Sequence, residues 1–142
     1  MSTPERVQSV QVLLSEGERV MGEFRIWEEA PENQDAVRLE LRFDDREFGA
    51  ITEDGFFEAL TSIREQLEPE GLRLECYGGS RRVYPSGMVR SMGYGEKAYR
   101  LTMGQQAKSA DLVSIFDTGP EVEPATIDDQ EHYYRDWLAS LG

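Results

Sequence analysis

Between Ala36 and Phe43 the chain reads AVRLELRF, with Val37, Leu39, Leu41 and Phe43 at every second position and Arg38, Glu40 and Arg42 between them. Successive residues of a strand point to opposite faces, so this stretch is a strand with one face for a core and one for water. Downstream the period changes. Phe56, Leu60, Ile63 and Leu67 fall at i, i+4, i+7 and i+11, the stripe of an amphipathic helix. Thr52 or Asp54 is expected to cap it, Glu53, Asp54 and Glu58 suit the positive end of its dipole, and Pro69 and Gly71 end it. A chain that carries both periods is α+β.

The remaining segments fill in that class. Val7–Leu14 reads as a strand with Val10, Val12 and Leu14 facing in. Arg19–Glu28 sets Val20, Phe24 and Ile26 against Met21, Glu23, Arg25 and Trp27, and the link EAPENQD joins it to an antiparallel neighbour. The cross-strand Arg and Glu residues are expected as ion pairs on a solvated face. Asp44-Asp45-Arg46 is a turn before a short strand, Glu47–Ile51. Leu72–Tyr77 points Leu72, Leu74 and Cys76 inward, and Lys97–Met103, with Tyr99, Leu101 and Met103 inward, is expected to return beside it across a loop, Gly78–Gly95. Ala110–Phe116 is a strand or a helical turn, and Thr118–Ala125, with Gly119, Pro120 and Pro124, a loop. Thr126 and Asp129 suggest a capping box opening a last helix with the stripe Tyr134, Trp137, Leu138 and Leu141. The expectation is one α+β domain, 1–142: a mainly antiparallel sheet of about five to seven strands with two helices, about 54–68 and 127–141, packed on one face.

Charge restricts the partners. With 28 acidic against 15 basic residues the net charge is −13, which opposes general attraction to nucleic acid or an anionic membrane and suits a basic protein partner. Cys76 is the only cysteine, so neither a disulfide framework nor a multi-cysteine zinc site is expected. The start, MSTPERVQSVQ, lacks a signal-peptide pattern, and no apolar run approaches the roughly 18 residues of a membrane span. A cytoplasmic location is expected.

Against this background Tyr77–Lys108 stands apart. It holds six of the 15 basic residues, one of the 28 acids and six of the 13 glycines, interleaved with tyrosines. Glycine-rich backbone beside Arg81, Arg82 and Arg90 could cradle a compact anion. Tyr84, Tyr94, Lys97 and Arg100 complete that candidate binding set. Yet GGSRR lacks the GK[ST] of a phosphate loop, and GMVRSMGYG is not followed by a helix as a dinucleotide fingerprint would be. The plainer alternative is a loop whose arginines pair with the chain's own acids.

Catalytic signals are weak. His132 is the only histidine, Ser86 lacks the strand–elbow–helix setting, and Asp44-Asp45-Arg46-Glu47-Phe48-Gly49 breaks the calcium-loop pattern. No metal, no cofactor and no catalytic residue are expected. The reading is a non-enzymatic binding protein whose acidic face, with loop Glu28–Asp35 and Trp27 as anchor, docks a partner. Its profile is similar in composition, not in any motif, to bacterial toxin-neutralising immunity proteins, which act by occluding a basic toxin. The alternative is a small-molecule or anion site, conceivably enzymatic, in residues 77–100. Self-association through the sheet edge or the last helix is left open.

Overall fold

The computed structural model describes residues 2–90 and 92–142. Its larger sheet comprises β1 (Arg6–Leu13), β2 (Arg19–Trp27), β3 (Val37–Phe43), β4 (Arg46–Thr52) and, after a helix, β5 (Arg73–Glu75). The order is β4-β3-β2-β1-β5, antiparallel throughout. The register sets Ile26 beside Leu39 and Phe24 beside Leu41, so the alternating apolar residues of neighbouring strands share one face. Val12, Phe24, Ile26, Leu39, Leu41 and Leu74 are all buried there. Phe43 pairs with Arg46, so Asp44 and Asp45 close a two-residue hairpin, with Asp44 in the left-handed region (φ 52°) such turns require.

Helix α1 (Phe56–Leu67) lies on that face and buries Phe56, Phe57, Ala59, Leu60, Ile63 and Leu67. Its N-cap is Gly55 rather than Thr52 or Asp54, and no side chain caps it. Thr52 Oγ1 instead accepts from Asp54 N at 3.1 Å, which uses the hydroxyl in a local turn. Gly55 has φ 96°, and a Cβ there would lie 2.8 Å from the Tyr94 carbonyl oxygen, so only glycine fits. Pro69 enters a single 3-10 turn, and Gly71 (φ 73°) ends the helix as expected.

The rest of the chain forms a second antiparallel sheet: β6 (Val83–Tyr84), β7 (Lys97–Arg100) and β8 (Leu112–Ser114), in the order β6-β7-β8. The expected pairing of Lys97–Met103 with Leu72–Tyr77 does not form. Tyr77 N and Gly78 N donate to Asp117 O and Ile115 O (2.8 and 2.9 Å), so the chain leaving β5 is taken by residues 115–117. β7 stops at Arg100, Ala98 rather than Tyr99 is fully buried, and Met103 is exposed. The expected loop Gly78–Gly95 contains a 3-10 turn at Tyr77–Gly79, β6, the short helix α2 (Gly87–Arg90) and a turn at Gly93–Gly95; its Ser91 lies outside the described residues.

Helix α3 (Ile127–Ser140) begins where expected: Thr126 Oγ1 accepts from Asp129 N at 3.0 Å. Its buried face is Gln130, Tyr133 and Trp137, whereas Leu138 and Leu141, expected in the core, are 46% and 36% exposed. The cause is polar. Gln130 Nε2 donates to the carbonyls of Gly78, Ser80 and Val83 (3.0, 3.0 and 2.9 Å), while its Oε1 accepts from Arg64 Nη1 at 2.6 Å. Arg64, buried in α1, also reaches Gly78 O and Ala125 O (3.1 and 2.9 Å). This pair rotates α3, joins it to α1 and fixes the course of residues 78–83.

Candidate functional site

The N-terminus of α1 and the turns after β6 face each other across a cleft of about 770 Å³, lined by Asp35, Val37, Glu53, Asp54, Glu58, Arg90 and Tyr94 with Gly55, Gly87 and Gly93. The loop entering β3 and the first residue of that strand bring Asp35 and Val37, the β4–α1 connection brings Glu53 and Asp54, and the first turn of α1 brings Glu58. Its one guanidinium, Arg90, is ion-paired with Glu58 and lies over the rings of Phe57 and Tyr84 (5.4 and 5.5 Å). Asn33 Nδ2 donates to Glu53 at 3.0 Å. Among the described residues, Asp35, Glu53 and Asp54 have no cation of this chain within ion-pair distance. Tyr94 stands half-exposed at the rim, held in the left-handed region at φ 58° between two glycines that share it. Residues held in such sparsely populated backbone regions cluster at functional sites.

Carboxylates here are spread rather than convergent: among the described residues, no three His, Cys, Asp or Glu side chains stand together as metal ligands do. The arrangement suits an extended cationic surface more than a point charge.

The sequence-derived set is dispersed. Arg81 and Arg82 share Glu123 (3.7 and 2.7 Å) and lie over the Tyr133 ring. Arg100 reaches Glu121 at 3.1 Å and Ala110 O at 2.9 Å. Tyr77 also donates to Glu121, at 2.7 Å, and that bond, with Arg100, holds the Glu121 carboxyl below the usual carboxylate range. Lys97 is exposed at the start of β7. Arg82 and Arg100 line one hollow with Asp111, Glu121 and Glu123, Arg90 and Tyr94 line the acidic cleft, and Tyr84, under the Arg90 guanidinium on one side, stacks on Tyr134. Four arginines of the basic segment are thus matched by carboxylates of the same chain, as the plainer alternative anticipates.

Trp27, expected as a docking anchor, is only 4% exposed on the outer face of the sheet, with the Arg38 guanidinium 5.3 Å over its ring. Glu40, expected on a solvated face, is 5% exposed: Arg38 bonds it at 2.6 Å, and Arg25 and Arg42 stand at 3.7 and 3.6 Å. Long arginine stems lie along the sheet and roof the carboxylate, which strand alternation alone does not reveal. As cleft residues these acids escaped sequence reasoning: Glu53, Asp54 and Glu58 showed only as cap or dipole partners of α1, and Asp35 only as the end of the docking loop Glu28–Asp35. Comparison of the chain with known protein families and with curated proteins finds no match.

Proposed function

We propose that this protein is a small acidic binding protein that docks a basic protein partner in the cleft between α1 and residues 87–95. The supporting observation is the set Asp35, Glu53 and Asp54, which faces that cleft with no cation paired to it among the described residues, while Arg90 is already held by Glu58. A partner's lysine or arginine supplies the missing charge, and the half-exposed Tyr94 ring offers it a cation–π face. The net charge of −13 steers such a partner from a distance. Neutralising a basic toxin by occlusion in the cytoplasm, the immunity-type role, fits this chemistry. No helix among the described residues is long and apolar enough to cross a membrane. The pairing of Arg81, Arg82 and Arg100 with Glu123 and Glu121 counts against the alternative anion site, because an anion would have to displace bound carboxylates.

The test is capture from host lysate on immobilised protein at about 0.05 M and about 0.5 M salt, with a variant carrying Asp35→Asn, Glu53→Gln and Asp54→Asn alongside. A basic protein retained by the natural chain at low salt, released at high salt and missed by the variant is the expected outcome. Capture that ignores both salt and the substitutions would refute the reading.

A further inference from the structure

Strand alternation turns Glu23, Arg25 and Trp27 of β2 to the outer face of the sheet, and the register sets Arg42, Glu40 and Arg38 of β3 opposite them. Arg25, Trp27, Arg38, Glu40 and Arg42 line a hollow of about 180 Å³ on that face. Among the described residues, the buried side-chain atoms without a hydrogen-bond partner are Arg25 Nε, Trp27 Nε1, Glu40 Oε1 and Arg42 Nε. All four belong to residues that line this one hollow. Trp27 and Glu40 are themselves almost wholly buried. An orphaned buried polar atom is costly, and four around a single space point to a ligand that supplies their hydrogen bonds.

We infer that this hollow binds a compact oxyanion that still carries a proton near neutral pH, inorganic phosphate being the tetrahedral one. Three of the four orphaned atoms are N–H donors, so what they need is an acceptor. Arg25 stands 3.7 Å from Glu40 and 3.8 Å from Glu23, and Arg42 stands 3.6 Å from Glu40 and 3.4 Å from Glu47. None of these contacts has hydrogen-bond geometry, unlike those that hold Arg82 and Arg100 at 2.7 and 3.1 Å. Arg38 is already bonded to Glu40 Oε2 and to Glu32. Glu23, Glu32 and Glu47 are half-exposed, where water screens them, so Glu40 is the one buried carboxylate facing three guanidiniums. Forked guanidinium donors match the oxygens of such an ion. The fourth orphan selects among ions. Glu40 Oε1 repels a fully deprotonated anion but accepts from an O–H. Inorganic phosphate keeps a proton at neutral pH and sulfate keeps none, while a phosphomonoester, with its second pKa of about 6, has mostly lost its own. The hollow has the volume of roughly six waters, room for a single small ion and not for a nucleotide. The net charge of −13 opposes the approach of an anion, but beyond about 8 Å that field is screened and the groups lining the hollow decide the contact.

The chain has two tryptophans, and Trp137 Nε1 already donates to Gln105 O, so their indole N–H resonances give one reporter in the hollow and one control outside it. The full chain is titrated with inorganic phosphate, sulfate and O-phosphoserine near neutral pH, with ionic strength held constant by sodium chloride, and followed by proton–nitrogen correlation spectra. Trp27→Phe assigns the reporter by its loss. Phosphate is expected to shift the Trp27 resonance saturably, with a dissociation constant of about 1 mM or lower, and to leave that of Trp137 in place. Sulfate and phosphoserine bind at least about tenfold more weakly, because neither offers Glu40 a proton. Arg42→Gln removes one forked donor and raises the phosphate dissociation constant by about tenfold or more, with an unmoved Trp137 resonance showing that this variant is folded. The contrast between phosphate and sulfate on the natural chain stands without any variant. No saturable shift with phosphate, as when water alone meets these atoms, an equal response to sulfate, or a folded Arg42→Gln chain that binds phosphate as tightly as the natural one would overturn the assignment.

Discussion

Replacing Gln130 with leucine tests the contact that sets the orientation of α3. The substitution nearly preserves volume but removes one acceptor and one two-proton donor from a buried site. Gly78 O keeps its bond from Arg64 Nη1 at 3.1 Å, and Ser80 O keeps a bond from Val83 N at 3.3 Å. Val83 O is different. Leu101 N donates to Arg82 O, so the ladder bonds to β7 flank Val83 and its own carbonyl turns away, toward Gln130 alone. Orphaning a buried carbonyl costs about 1–3 kcal/mol, and a hydrogen bond to a charged group is worth about 1.5–3 kcal/mol, here the 2.6 Å bond from Arg64. Gln130→Leu should therefore destabilise the fold by about 2.5–6 kcal/mol, a large part of the roughly 5–15 kcal/mol of a typical domain. Urea unfolding followed by tryptophan fluorescence measures it, Trp137 being on the same helix. Gln130→Glu retains the acceptor for Arg64 but not the donor to the carbonyls, and comparing the two variants apportions the loss. A change below about 1 kcal/mol for Gln130→Leu would show that the polar contacts do not hold α3, and the reasoning would fail.

Other consequences are as direct. Burial pushes the Cys76 thiol up to about 11, so it should resist a thiol reagent at pH 8 until the protein unfolds; reaction at the rate of a free thiol in the native state would contradict this. The same shift has a sign for stability: the folded state holds the proton longer, so this contribution is complete below the unfolded thiol value of roughly 8.5 and is lost as pH rises through about 11. Gly55→Ala should lower stability by more than about 1 kcal/mol, since its φ of 96° strains any side chain and its Cβ would press on Tyr94 O, and thermal melting reads this out. Tyr77 chiefly, then the Glu121 backbone N–H and Arg100, depress the Glu121 carboxyl, and Arg46 depresses that of Glu70. Their stabilising effect is present above the unfolded carboxyl value of roughly 4.3 and lost as pH falls through the lower folded values. Tyr77→Phe with Arg46→Met should therefore flatten the acid limb of a melting-temperature profile, and an unchanged limb would contradict that.

Much of the architecture follows from local period. Val37, Leu39, Leu41 and Phe43 alternate because a strand turns each residue to the opposite face, and Phe56, Leu60, Ile63 and Leu67 recur because a helix turns by 3.6 residues. Both patterns depend only on chain neighbours, so β3, α1 and the α+β class are visible without coordinates. The N-terminus of α3 is local too, since Thr126 and Asp129 lie within one turn. Which strand β7 joins depends on residues 115–117 occupying the space after β5, a contact between segments distant in sequence. The face that α3 buries was decided by Gln130 and Arg64, 66 positions apart, whose hydrogen bonds outweighed a stripe of better hydrophobes. For the site, the sequence alone determined an acidic chain with one basic stretch. Only tertiary structure set four of those arginines on the chain's own carboxylates and, among the described residues, left Asp35, Glu53 and Asp54 without cations around one cleft. Ion pairing requires atoms a few ångströms apart, and proximity between distant segments is a property of the fold.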